Sequence, residues 1–140
     1  MADSKNIIAF VRRRKVAFLG SVDENGFPNI KAMLAPRMIV NGKEFYFSTN
    51  TSSVRVAHYR ISSKASVYFC RKGLIRYEGV QFTGKMEVLE DEAIKKQLWQ
   101  VGDSIYYPKG VTDPDYCVLK FTAQAGRYYC NLKTESFSLE

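Results

Sequence analysis

The chain has one histidine, three cysteines and one tryptophan among 140 residues, and each shortage removes a class of function. His58 stands alone with no nucleophile motif beside it, so a Ser-His-Asp or Cys-His constellation has little to build on. Cys70, Cys117 and Cys130 are an odd number at spacings that match no zinc or redox pair, so no metal is expected and the thiols read as reduced and mostly buried. Glycine is not clustered into a dinucleotide fingerprint or a phosphate loop. No run approaches the roughly 18 apolar residues of a membrane span. Ile7-Ile8-Ala9-Phe10-Val11 is too short for a signal peptide and is followed at once by Arg12-Arg13-Arg14-Lys15. These absences predict a cytoplasmic protein with no membrane partner.

Acidic residues are also few, 14 against 21 Lys and Arg, which leaves a net charge of +7. A basic surface attracts nucleic acid, acidic lipid or a phosphorylated small molecule, and sign alone does not choose among them. The densest cluster, Arg12 to Lys15, reads as the solvated end of a first helix, where cations complement the helix dipole.

Apolar and aromatic residues are abundant. They make up 46% and 14% of the chain, with nine Tyr and nine Phe, a composition that excludes disorder and favours strands. The length suits one domain, 1–140. A first helix is expected from a cap at Asp3 or Ser4 to about Arg14, with Ile7, Phe10 and Val11 on one face. Strands follow at Val16–Val22, Phe27–Val40 and Lys43–Ser48, separated by the Asn25-Gly26 and Asn41-Gly42 turns, whose residues tolerate the positive φ of tight hairpins. Pro36 is expected to bend the second of these strands or to sit where no ladder bond is needed. A short helix from Ser52 to about Arg60 has Ser52 or Ser53 as its N-cap. Next come a strand at Lys64–Cys70 and a long one at Tyr77–Leu89, with Val80, Phe82, Met86 and Val88 on one face and Gly84 placed for a bulge. A third helix is expected from Asp91 to Val101, then a loop to Asp115, then strands at Tyr116–Thr122 and Arg127–Leu132. Seven sequential antiparallel strands with three short helices point to a closed or nearly closed barrel, which removes exposed sheet edges.

With the usual catalytic constellations missing, any reaction falls to a cofactor. The best place to hold one is the junction of the Lys43–Ser48 strand with the helix after it. Ser48, Thr49, Ser52 and Ser53 offer hydroxyls, the helix start offers backbone N–H groups, and Arg55 lies near the first turn. Together these are the parts of a phosphate site. Lys31 adds a second cation if the second and third strands pair through the Asn41-Gly42 turn. The alternative is that Ser and Thr merely cap a helix and Arg55 is solvated.

In order along the chain, Phe18-Leu19-Gly20-Ser21-Val22-Asp23, Asn25-Gly26-Phe27-Pro28, Lys31-Ala32-Met33, Phe45 to Ser53 with Arg55-Val56, Lys64 to Phe69, and Gly84 to Leu89 resemble the pyridoxamine 5'-phosphate oxidase-like family of FMN-binding split barrels. Each motif is weak alone, and their order and spacing carry the likeness. The resemblance implies a mainly β antiparallel split barrel with short helices, and a homodimer with FMN in a groove between subunits. It implies that Lys31 reaches the flavin or its phosphate arm and that the backbone around Ala32 and Met33 faces the ring. Ser48 and Thr49, with Asn50 and Ser52 beside them, would then meet the ribityl and phosphate groups, and Ser53 and Arg55 would clamp the phosphate. Lys31 stands where the family usually has Arg, and Val54-Arg55 stands where it has a basic pair. Gln81 is out of register with a family glutamine, and the C-terminal Trp and Arg segment that binds vitamin B6 substrates is missing. The likeness is therefore to short, general members, among them flavin-dependent reductases of small molecules such as nitroimidazoles, acting by hydride transfer through flavin N5. Trp99, Tyr106 and Tyr107 read as core or interface packing. His58 reads as a helix-surface or barrel-facing residue. The rival functions are a flavin- or haem-binding module without turnover, or a basic barrel for single-stranded nucleic acid, the latter disfavoured because the aromatics lie in apolar runs.

Overall fold

A computed structural model describes residues 4–139, so Asp3, the alternative first cap, lies outside the described residues. Helix α1 (Ser4–Arg12) leads into strand β1 (Val16–Val22), which pairs antiparallel with β2 (Pro28–Leu34). Strand β3 (Met38–Val40) pairs with β4 (Glu44–Asn50), and α2 (Val54–Ile61) follows. Strands β5 (Lys64–Lys72) and β6 (Tyr77–Leu89) form a long hairpin, and α3 (Glu92–Leu98) precedes two single turns of 3-10 helix. Strand β7 (Tyr116–Cys130) and β8 (Lys133–Ser138) complete the described chain. The sheet runs β2-β1-β5-β6-β7-β4-β3, with β8 beside β7. No helix of the described residues is long and apolar enough to cross a membrane.

The split lies in β7. Its first half, Tyr116–Thr122, pairs with β4, and its second half, from Ala125, pairs with β8, while β6 lies along its other edge. The change of partner coincides with a register shift at Thr83/Gly84, where Gln124 is the extra residue of β7. This is the bulge expected at Gly84. A Cβ added at Gly84 would lie 2.0 Å from the Thr122 carbonyl oxygen, a backbone atom that has no room to move aside. Gly84→Ala is therefore expected to destabilise the fold by about 1 to 3 kcal/mol, read as a lower urea midpoint. An unchanged midpoint would show that the close approach relaxes at no cost.

The alternation of β6 sends Val80, Phe82 and Met86 inward, each 1% exposed or less. They meet Phe45, Phe69 and Phe121, with the Phe45 and Phe82 ring centroids 5.1 Å apart. Ile7, Phe10 and Val11 of α1 pack into the same cluster. A second layer covers the outer face of β4 and β7, where Leu98, Tyr107, Tyr116 and Val118 pack together with Trp99 against them. Trp99 and Tyr107 thus pack, as expected, whereas Tyr106 is 72% exposed. Arg37 and Asp103 fasten this layer down with paired contacts of 2.6 and 2.8 Å, and Arg37 also donates to the Leu98 carbonyl at 3.0 Å.

Several boundaries differ from expectation. The run Phe27–Val40 is two strands broken at Ala35-Pro36-Arg37, because the bend takes β2 to β1 and β3 to β4. The second and third strands expected from the sequence therefore share no ladder along β2. Tyr116–Thr122 and Arg127–Leu132 are not two strands but one continuous β7, and the last strand is Lys133–Ser138. The turn before it uses Asn131 and Leu132, both at positive φ, with no glycine to mark it. Helix α1 stops at Arg12, and α3 stops at Leu98 with Trp99 as its C-cap.

Candidate functional site

Strand β4 ends at Asn50, and the chain turns through Thr51-Ser52-Ser53 into α2. The turn is held from the residue just before β7. The Asp115 carbonyl accepts from the Thr51 amide at 2.7 Å, and the Asp115 carboxylate accepts from the Ser52 amide at 2.8 Å and from Asn50 Nδ2 at 3.1 Å. Those bonds, the Asn50 side chain first, hold the Asp115 carboxyl below its usual range. Ser53 is the N-cap, its hydroxyl accepting from the Val56 amide at 3.3 Å. The amides of Val54 and Arg55 belong to the first turn, where no intrahelical acceptor exists. The helix start thus offers donors and the positive end of its dipole.

Arg55 supplies the missing charge. Its Nε is buried and donates to nothing among the described residues. A guanidinium N–H left without an acceptor is costly, so it marks a place where an acceptor fits. Thr51 Oγ1 is also buried, with the Cys117 thiol beside it, a weak partner for a hydroxyl. The donor set (two first-turn amides, the Ser53 hydroxyl, and an arginine fork with an orphaned N–H) fits a phosphate group.

The other expected site residues divide. Ser48 faces the outer layer, where its hydroxyl and the Tyr116 hydroxyl lie 3.3 Å apart. Thr49 points the other way and is 6% exposed. Lys31 and Ala32 are exposed on β2, opposite Leu19 and Phe18 of β1, and Met33 packs partly against the core. Lys31 is not joined to Ser48 by a shared ladder, because β2 pairs only with β1. His58 faces the barrel, buried, with Nδ1 2.8 Å from the Ser21 hydroxyl. Tyr59 beside it donates to the Gly20 carbonyl at 3.0 Å, tying α2 to β1. Asp115 was missed by sequence reasoning, since its partners lie more than 60 residues away and only a loop Asp before a strand marked it.

Strand β2 also presents a face. Val16 with Leu34, Phe18 with Ala32, and Gly20 with Ile30 are cross-strand pairs. Ile30 and Leu34 are 78% and 76% exposed. An apolar stripe on an edge strand needs a cover. Five cavities, one of about 560 Å³, are lined by residues other than Ser48–Arg55.

The barrel split at β7, with a phosphate-shaped helix start at its rim, defines a protein of the split-barrel class. The family model described as pyridoxamine 5'-phosphate oxidase matches residues 4–130, and the chain belongs to that family. A protein from Clostridium acetobutylicum, described as related to general stress protein 26 of B. subtilis and of the pyridoxinephosphate oxidase family, is 39% identical over 99% of this chain and 97% of its own, with a TM-score of 0.83. A pyridoxamine 5'-phosphate oxidase-related, FMN-binding protein from Nostoc punctiforme shares the fold at 14% identity, covering 100% of this chain and 98% of its own, with a TM-score of 0.68. A heme-binding protein from Mycobacterium smegmatis shares it at 12% identity over 99% of this chain and 59% of its own, with a TM-score of 0.76. No curated protein matches the chain.

Proposed function

We propose that this chain binds FMN and serves as a flavin-dependent oxidoreductase of a small molecule. The observation that carries the reading is the buried, unpartnered Nε of Arg55 at the start of α2. Arg55, the Ser53 hydroxyl and the first-turn amides would hold the phosphate, with Ser48, Thr49, Asn50 and Ser52 along the ribityl arm. Lys31, Ala32 and Met33 would approach the ring from β2. When bound, the flavin supplies hydride transfer at N5. The protein's part is to orient the ring, exclude water, and present backbone donors to the negative charge that develops on it. No side chain here is assigned as acid or base.

The exposed stripe of Ile30, Ala32 and Leu34 supports a homodimer whose interface closes the flavin groove. Leu34→Asp is expected to give a monomer that retains less flavin, read by light scattering and absorbance of the same sample. A dimer with full flavin would place the interface elsewhere. Haem is the weaker reading, because it requires an axial ligand. His58 is buried with Nδ1 held by Ser21, and Cys117 is fully buried. The proposal is tested by the visible spectrum of the purified protein after gel filtration with excess FMN. Retained flavin bands are expected. A colourless protein would refute it, and a Soret band in the protein as isolated would favour haem.

A further inference from the structure

The end of the barrel away from α2 carries a second set of cations. Asn50 pairs with Tyr116 at the start of β7, whereas Cys130 at its far end pairs with Glu78, so the sheet itself separates the two places. There α1 and the β5–β6 and β7–β8 hairpins enclose the cavity of about 560 Å³. Arg13 and Arg14 line it from the end of α1, Arg71 and Arg76 from the β5–β6 hairpin, and Lys133 from β8, against Glu78 and Glu135. Five cations from three separate stretches of chain thus face two carboxylates. Like charges brought together repel, and an anion between them offsets that cost.

The cations are also positioned. Glu78 is mostly buried, receives the Tyr128 hydroxyl, and lies 3.7 Å from the half-exposed Arg71 and 3.9 Å from the half-exposed Arg76. Arg76 Nε donates to Cys130 Sγ at 3.1 Å. Arg14 donates to the Phe10 carbonyl at 3.2 Å, and its guanidinium lies 4.6 Å from the centroid of the Phe10 ring. Ile7, Ala9 and Phe10 make the facing wall apolar. The run Arg12 to Lys15 is therefore more than a solvated helix end, since two of its members reach this cavity.

We infer that this cavity binds a nucleotide-sized polyanion, a phosphorylated small molecule with at least two negative charges. Its phosphates sit on Arg71, Arg76 and Lys133, and its less polar body lies against α1. The cavity falls within the roughly 300 to 1,000 Å³ of small-molecule sites, and arginine forks match phosphate oxygens in pairs. The inference does not rest on the flavin reading, and the Arg55→Ala variant keeps the two apart in the test.

The full chain, loaded with FMN and then freed of the excess by gel filtration, is titrated calorimetrically with adenosine 5'-triphosphate and with inorganic pyrophosphate, and alkylation of each cysteine by iodoacetamide is followed by peptide mapping. Both anions are expected to bind, the triphosphate more tightly, and to slow alkylation of Cys130 but not of Cys70. The double variant Arg71→Ala, Arg76→Ala is expected to weaken binding at least about tenfold while circular dichroism shows a folded chain, and Arg55→Ala to leave binding unchanged. The inference is overturned if neither anion binds at low salt, if the double variant binds as well as the parent, or if Arg55→Ala abolishes binding.

Discussion

Arg55→Ala is expected to weaken FMN binding about 100-fold while the fold stays intact. The magnitude follows from truncating one partner of a partly buried, hydrogen-bonded charge pair, which costs roughly 2 to 5 kcal/mol, and a hundredfold change is about 2.7 kcal/mol. The parent has an arginine whose Nε is buried without an acceptor at the start of a helix, so the phosphate would satisfy an existing deficit. Arg55→Lys is expected to fall between, because it keeps the charge and loses the fork. Fluorescence titration gives the dissociation constants, and the thermal midpoint without FMN checks folding. Equal affinities in parent and Ala variant would move the phosphate elsewhere, with the Arg71 and Arg76 cavity the next place to look.

Asp103→Ala is expected to cost about 3 to 5 kcal/mol of stability, the usual penalty for leaving one member of a buried ion pair alone. Asp103 is 5% exposed, and its carboxylate takes both terminal nitrogens of Arg37 as well as the Gln100 amide at 2.9 Å. Arg37 lies between β2 and β3, so the pair ties the Trp99-Tyr107-Tyr116 layer to the strand break at Pro36. The same contact gives a pH signature. Arg37 first, then the Gln100 amide, lowers the Asp103 carboxyl below its ordinary value. The unfolded chain thus binds the proton more readily than the folded one, and the contribution is complete above the unfolded value of about 3.9. It is lost as the pH falls through the lower folded value. Urea midpoints should drop in acid for the parent and drop less steeply for Asp103→Asn. Parallel pH curves would show that other carboxylates govern acid unfolding.

How much of this was legible in the sequence depended on how local each signal was. The inward row Val80, Phe82, Met86 and Val88 could be read because alternation continues across Gly84, the extra residue of the bulge being Gln124 on the other strand. Asn41-Gly42 announced its turn because both residues favour positive φ, which they adopt. Asn131-Leu132 does the same at a position where leucine gives no warning, so β8 stayed hidden, whereas the cut expected in β7 falls at Ala123 to Gly126, beside the bulge residue Gln124. That a serine caps α2 was legible from residue type, as Ser52 or Ser53, and the structure selects Ser53. Asp115 was not, because its meaning comes from Asn50 and Ser52 across a strand pairing that no local pattern encodes. Lys31 shows the reverse error. The hairpin signals placed it one strand from Ser48, whereas the bend at Pro36 sends β2 to the far end of the sheet order. Any meeting of Lys31 with a phosphate arm would then come through barrel closure or the proposed dimer.

The phosphate clamp proposed at the start of α2 would have one consequence that the flavin ring itself does not share. FMN and riboflavin differ only in the phosphate, so the ratio of their dissociation constants for the parent protein isolates the contribution of Ser53, Arg55 and the first-turn amides. With the clamp in place, riboflavin is expected to bind at least about 100-fold more weakly than FMN. Equal binding of the two flavins would contradict it.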